Sequence, residues 1–289
     1  MSDDRPGDAD RRILFVHAHP DDESSKGAAT VARYADEGAR VVLVTCTGGE
    51  AGEVLNAALS PVAPEDIGAL RRAELDRATD ILGFAHRYDL GFLDSGWHED
   101  LATVPPGVFG SVDVDEPAHA LAEILRRERP HVVVTYPEDG GYPHPDHIAV
   151  HRVTMRALEI AEDPAAGVDG EPWRVPKVYE STGFPRARVK VLHELLLELG
   201  IESPFEGWEE RWGRPREDAI DAVLEVGTWF TRRDDALRAH ATQIDPDGFW
   251  FVVPRDRELE LYPYEAYTRL RSDVDAPLPE DDLFAGLGV

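Results

Sequence analysis

The 289-residue sequence carries 30 Lys and Arg against 57 Asp and Glu, a formal charge of −27, with 42% hydrophobic and 8% aromatic residues. That apolar content is enough for a continuous core, and the acidic excess, with no run of Lys or Arg longer than two, argues against a nucleic acid or an anionic membrane surface as partner. The lone cysteine, Cys46, precludes an internal disulfide; with a polar opening, MSDDRPGDADRR, and no long uncharged apolar run, the expectation is an unexported, cytoplasmic protein without a membrane span.

In chain order, residues 13–16 form a short apolar run, followed by the turn-rich HAHPDDESS and a helical stretch over 26–37 closed by Gly38. Residues 41–46 repeat the strand, followed by GGEAGE and a helix whose inward side is expected to carry Ile67, Leu70, Ala78, Ile81 and Leu82. A third strand is expected at 88–92, and a helix at 117–128 with Leu121, Ile124 and Leu125 inward, stopped by Pro130. HVVVTY at 131–136 has the continuous β-branched core of a strand buried on both faces.

These alternating units predict an α/β fold: a mostly parallel, Rossmann-like sheet with helices on both faces and ligands bound beyond the carboxyl ends of its strands. Past residue 162 the pattern loosens. Strands at 177–181 and 219–226 and helices at 186–199 and 229–241 read as a C-terminal α+β elaboration (163–289) of the core (12–162), within one domain over 1–289. The stretch 203–218, with Trp208 and Trp212, reads as a lid or a packed insertion. Leu283 and Phe284 near the end are expected to dock on a core or on a partner, and oligomeric state is left open.

Two constellations carry chemistry. His19-Pro20-Asp21-Asp22-Glu23 follows the first strand directly. Imidazole and carboxylate suit zinc, and a catalytic site needs only three protein ligands and an open position. Because neighbouring side chains diverge, one of two adjacent carboxylates can ligate while the other acts as a base. A helix-capping acidic turn at Ser24 or Ser25 would explain the acids but not the histidine. Gly140-Gly141-Tyr142-Pro143-His144-Pro145-Asp146-His147 follows the fourth strand. His144 and His147, three apart, can share a face; one can complete the metal site while the other meets developing charge, with Asp146 fixing a tautomer. No HExxH, CxxC or GxGxxG competes.

HPDDE and HPDH, with HAHPDDESSKGAAT, VTCTGGEAGE, GGYPHPDHI, ALRAHATQIDP and the terminal LFAGL, resemble the LmbE-like, or PIG-L, zinc deacetylase family from about residue 13 to the end, more weakly over 102–115 and 202–218. The resemblance implies His19, Asp22 and His147 as ligands of one zinc ion per subunit, in a set that would also hold iron(II). It implies Asp21 as the general base, and Tyr142 and a protonated His144 as stabilisers of the oxyanion. It further implies substrate contacts at Lys26, Glu50, Arg71 and Asp94, with His240 and Gln243 in the pocket wall. By their residue types alone, Arg71 could be a solvated helix residue, Glu50 and Asp94 ordinary loop acids, and His240 a bare surface histidine.

The lysine of SSKG and the proline of GGYPHPDH favour the family branch that hydrolyses the amide between an N-acetylcysteine S-conjugate and glucosaminyl-inositol, the linkage of mycothiol S-conjugates. The partner would then be a small-molecule thiol–sugar conjugate. The alternatives are deacetylation of N-acetylglucosaminyl-inositol or a specialised antibiotic-pathway amidase. A non-catalytic metal- or sugar-binding protein would need a closed four-ligand site and leave Asp21 and His144 without a use. A phosphoesterase is disfavoured by the lack of an Arg or Lys cluster near the motifs.

Overall fold

The computed structural model describes residues 11–56, 58–59, 62–208 and 220–289; Trp212 and position 219 lie outside them. The first half alternates as expected: β1 (Arg12–His17), a short turn α1 (Asp22–Ser25), α2 (Ala28–Asp36), β2 (Arg40–Thr47), α3 (Pro64–Leu82), β3 (His86–Phe92), α4 (Asp115–Glu128), β4 (Val132–Thr135) and α5 (Pro145–Glu162). The second half supplies β5 (Lys177–Ser181), α6 (Arg186–Glu198), β6 (Ala222–Glu225), α7 (Phe230–Ala239), α8 (Arg255–Leu261) and β7 (Tyr264–Ser272). No described helix is long and apolar enough to cross a membrane.

All these strands join one sheet in the order β3-β2-β1-β4-β5-β7-β6. Strands β1 to β5 pair in parallel, and β7 runs antiparallel to both its neighbours. The pleat explains why β1 reads as unbroken apolar sequence. Ile13 and Phe15 enter a core with α2, α3 and α7 on one face, while Leu14 and Val16 enter a second core with α4 and α5 on the other. Because β1 lies between β2 and β4, the strand order reverses there, and the loops after β1 and β4 flank the crevice where α/β sheets bind ligands.

One expectation needs correction, and two elements were not anticipated. Along α3 the buried stripe runs through Ile67, Arg71, Glu74, Leu75, Ala78 and Leu82, leaving Leu70 39% exposed at its edge. Strand β7 was not anticipated because YEAYTRLRS, with charges at 265, 269 and 271, offers no apolar run; its place between β5 and β6 is set by long-range pairing. Helix α8, RDRELEL, escaped for the same reason. Trp208 packs its ring against Phe184 and Phe205.

The end of the chain docks on its own core: Leu283 and Phe284 are buried, the latter edge-to-face with Tyr34 at 5.2 Å between centroids. Just upstream, Glu280 accepts from Lys177 Nζ at 3.0 Å, from Arg269 Nη1 at 2.9 Å and from the Tyr179 hydroxyl.

Candidate metal centre and active site

After His17 the chain leaves the sheet in a tight turn that puts Asp21 at φ 110°, ψ −23°. A non-glycine residue there is strained and must be held by its surroundings. The Glu23 carboxylate accepts the Asp21 N–H at 2.9 Å, and Asp22 Oδ2 accepts the His19 N–H at 2.9 Å. Across the crevice, His144 caps α5: its Nδ1 accepts the Asp146 N–H at 3.2 Å, and Pro145 follows in the first helical turn. Gly140, at φ 77°, lets the chain pass so close that a Cβ would stand 2.7 Å from His147 Cβ.

Hydrogen bonds decide which imidazole nitrogens turn towards Asp22. His147 Nδ1 donates to the Gly140 carbonyl at 3.2 Å, leaving Nε2 to face Asp22 Oδ2 at 3.5 Å. His19 Nε2 donates to Asp146 Oδ2 at 3.2 Å, leaving Nδ1 to face the same Asp22 oxygen at 3.5 Å. Asp146 is held in turn by the Ser95 N–H at 3.0 Å and by the Ser95 hydroxyl. His19, Asp22 and His147 thus present three buried donor atoms within 4.8 Å of one another, with ring orientation set by outer partners as in metal sites generally. His19, Asp94 and His144 also fall within that span, but on the Nε2 side of His19, where Asp94 Oδ1 lies at 3.6 Å and Asp146 already holds the ring.

The electrostatics match this division. Burial works against charge on Asp22, but Lys26, His147 and His19 outweigh it and hold its carboxyl well below the usual range. Burial also opposes charge on His19, yet its bonds to Asp146, Asp22 and Asp94 raise it well above the usual imidazole value. Asp21 goes the other way: burial, reinforced by Asp22, pushes it up despite Arg71. Burial and the neighbouring His19 and His147 bring His144 down to about 4. That direction runs against the protonated His144 that the resemblance implies. Since Nδ1 accepts from Asp146, its proton sits on Nε2, still a donor.

Tyr142 also stays protonated, raised first by burial and then by Asp22 and Asp21; its hydroxyl lies 3.1 Å from His147 Nε2. Lys26 Nζ bonds Asp22 Oδ1 at 2.5 Å and approaches the Tyr142 ring at 5.9 Å, so it stands at the centre. Arg71 is 4% exposed and far from solvated: Nη1 bonds the Gly49 carbonyl at 2.8 Å, and Nη2 the Pro20 carbonyl at 2.6 Å and Asp21 Oδ2 at 3.0 Å. Gly49 and Gly52 make way for it, since a Cβ on either would come within 2.6 Å of its guanidinium. Glu50 accepts the Asp94 N–H at 2.9 Å, and a cavity of about 280 Å³ beside this lip is lined by Pro20, Glu50, Gly68, Arg72 and Leu93.

His240 does not line a pocket wall. It is fully buried, with Nε2 at 2.6 Å from Glu23 Oε1, while Gln243 Nε2 donates to the Glu53 carbonyl at 2.9 Å. Sequence reasoning passed over Glu23, Ser95 and Tyr136. The Tyr136 hydroxyl bonds His17 Nδ1 at 2.9 Å and its ring stacks on His147 at 4.5 Å. Glu23 was visible as the last letter of HPDDE and Tyr136 as the polar end of HVVVTY; nothing local marks Ser95.

Residues 14–158 match the PIG-L family, described as GlcNAc-PI de-N-acetylase. The chain is 48% identical over 285 residues to the mycothiol S-conjugate amidase of Streptomyces coelicolor, covering 96% of this chain and 97% of that one. It is 44% identical over 290 residues to the 1D-myo-inositol 2-acetamido-2-deoxy-alpha-D-glucopyranoside deacetylase of Geodermatophilus obscurus, covering 96% and 98%. Among solved structures, a conserved protein from Thermus thermophilus shares the fold with a TM-score of 0.60 at 24% identity, covering 92% of this chain and 97% of its own. The N,N'-diacetylchitobiose deacetylase of Pyrococcus horikoshii does so with a TM-score of 0.57 at 17% identity, covering 91% and 84%. With the family match spanning both crevice loops and its relatives matched along nearly the whole chain, this protein belongs to the PIG-L family, whose named members are amidases and deacetylases, hydrolases of an amide bond.

Proposed function

We propose that the protein is a mononuclear zinc amidase that cleaves the amide joining an N-acetylcysteine S-conjugate to glucosaminyl-inositol in mycothiol S-conjugates. The observation that carries the chemistry is the convergence of His19, Asp22 and His147 with Asp21 left outside the set, its carboxylate on Arg71, and the 48% identity to a named mycothiol S-conjugate amidase supports the substrate. Two imidazole nitrogens and one carboxylate oxygen fit zinc in a catalytic rather than a closed structural site. When bound, the ion supplies a Lewis acid that polarises the scissile carbonyl and acidifies water at neutral pH.

The chain's own residues do the rest. Asp21, held at a fixed position by Arg71 and raised in pKa by burial, takes a proton from the attacking water. The Tyr142 hydroxyl and His144 Nε2–H donate to the oxyanion that develops on the scissile carbonyl. As the C–N bond breaks, the proton on Asp21 is the one at hand for the leaving amine, since burial and the neighbouring imidazoles disfavour a second proton on His144. Products are a carboxylic acid and the free glucosamine nitrogen. Lys26, Glu50 and Asp94 are the proposed substrate contacts on the lips of the crevice. Arg71, whose fork is spent on the chain, contributes by bracing Asp21.

The second reading is deacetylation of N-acetylglucosaminyl-inositol, which the 44% identity to a named deacetylase supports and which needs the same centre with a smaller acyl pocket. The test is amine release from a mycothiol S-conjugate and from the acetyl sugar, using protein stripped of metal and reloaded with zinc. Release from the conjugate that returns with zinc is expected. Faster release from the acetyl sugar would move the protein to the deacetylase branch, and release indifferent to metal would sink both readings.

A further inference from the structure

We propose that His240 is a positioning residue for Asp21, acting through Glu23, so that the C-terminal half of the chain helps to set the geometry of the base. The contact joins residues 217 apart in sequence. His240 is the residue that ends α7, a helix packed on α3 and on the α1 turn. Its side chain is fully buried, and so is Glu23, at 1% exposure.

Both oxygens of Glu23 are committed. Oε1 accepts from His240 Nε2 at 2.6 Å and from the Ser24 hydroxyl, and Oε2 accepts the Asp21 backbone N–H at 2.9 Å. Because the partner is a carboxylate, the ring presents Nε2–H whatever its charge. The last bond in this chain lands on the peptide of Asp21, the residue at φ 110°. Arg71 braces the Asp21 carboxylate and Glu23 braces its backbone; without the second brace the first leaves φ free to relax.

His240 is itself anchored. The following residue but one, Thr242, donates its N–H at 2.8 Å and its hydroxyl at 2.6 Å to Glu74 on α3, and its carbonyl accepts the Leu55 N–H at 2.8 Å. The Asn56 amide bonds the Ala241 carbonyl at 3.0 Å. This segment is therefore tied at its backbone to α3 and to the loop after β2, and presents His240 to Glu23 from a fixed frame. A base must sit within hydrogen-bond reach of the proton it takes, so a small shift of the Asp21 backbone would be felt in turnover before it is felt in binding.

The inference rests on Asp21 as the base, and the experiment separates the two. His240→Leu and His240→Gln are made in the wild-type and Asp21→Asn backgrounds, and kcat, KM, zinc affinity and Tm are measured on whichever amide substrate the wild type turns over. A misplacement of about 1 Å caused by a change far from the chemistry can cost roughly 100-fold in rate. A kcat loss of that size is expected for His240→Leu, with KM and zinc affinity within about twofold, recovery in His240→Gln, which keeps a donor near the same place, and no further loss in the Asp21→Asn background. Wild-type kcat in folded His240→Leu, or the same fold-loss in the Asp21→Asn background, would overturn the proposal. Should the leucine variant not fold, His240→Asn, whose amide falls short of Glu23, carries the same test. If Asp21→Asn alone keeps the full rate, the functional reading fails. The contact itself is then read from the imidazole Nε2–H resonance of His240 in the zinc-loaded wild type, which must shift in Glu23→Gln.

Discussion

The Lys177–Glu280 cluster and the candidate metal centre are both buried and both charged, yet they are built on opposite plans. In the first, one carboxylate meets Lys177, Arg269 and the Tyr179 hydroxyl, and Lys177 completes its shell on the Ala285 carbonyl at 2.8 Å, so donor faces acceptor throughout. In the second, two imidazole lone pairs and an Asp22 oxygen face one another within 4.8 Å, with Asp21, Asp94 and Asp146 close by. Around Asp22 Oδ2 acceptor faces acceptor, while Lys26 Nζ holds the other oxygen, Oδ1, at 2.5 Å. Such an arrangement is unfavourable unless a cation or a proton joins it, and the contacts of His19 with Asp146, Asp22 and Asp94 accordingly raise its imidazole well above the usual value. Buried charge that serves stability closes on itself; buried charge that serves chemistry is held apart by the rest of the chain.

The sharpest way to break that contrast is to remove a donor from the open cluster. His147→Ala should lose retained zinc, measured by metal analysis after gel filtration, and lower kcat/KM by about 10³-fold or more, with the fold kept by circular dichroism. Retention of metal would remove His147 from the ligand set. Asp21→Asn should keep zinc and lower kcat by about 10² to 10⁴-fold, because the amide cannot take the proton; unchanged turnover would reject the base. In the closed cluster the pattern should invert. Lys177→Met should cost about 3 kcal/mol in urea unfolding, by stripping a buried carboxylate of a partner, while kcat stays within twofold. Smallest is the effect of the ion on stability: free zinc at about 100 times its Kd should add roughly 2.7 kcal/mol to unfolding, lost on chelation, and by the same amount in Lys177→Met. A chelator effect that disappears in Lys177→Met would mean that the two clusters are coupled.

Much of the parallel half was legible because its signals are local. Residues 13–16, 41–46 and 131–136 are apolar runs of strand length, and each is followed by a turn rich in Gly, Pro or Asp. The two histidine loops were legible for the same reason, since each places its polar residues directly after a buried strand. Arg71 illustrates the limit. On α3 it looks like one of two surface arginines, and only the closeness of Gly49 and Gly52 shows that its guanidinium is threaded inward to Asp21. His240 misled in the opposite direction, since a histidine near the end of the expected 229–241 helix looks available, whereas it is buried against a carboxylate far away in sequence.

The sequence by itself determined the α/β alternation, the burial of the strand at 131–136 on both faces, and the residue types that can bind a metal, because strand periodicity and strand-to-loop succession depend on near neighbours in the chain. The tertiary structure decided which nitrogens of His19 and His147 face Asp22, that burial and neighbouring imidazoles lower the His144 pKa, that β7 slips between β5 and β6, and that Glu23 links Asp21 to His240. Tautomers, pKa values and strand insertion all depend on groups brought together across long stretches of chain, and those distances exist only once the sheet has closed its two cores.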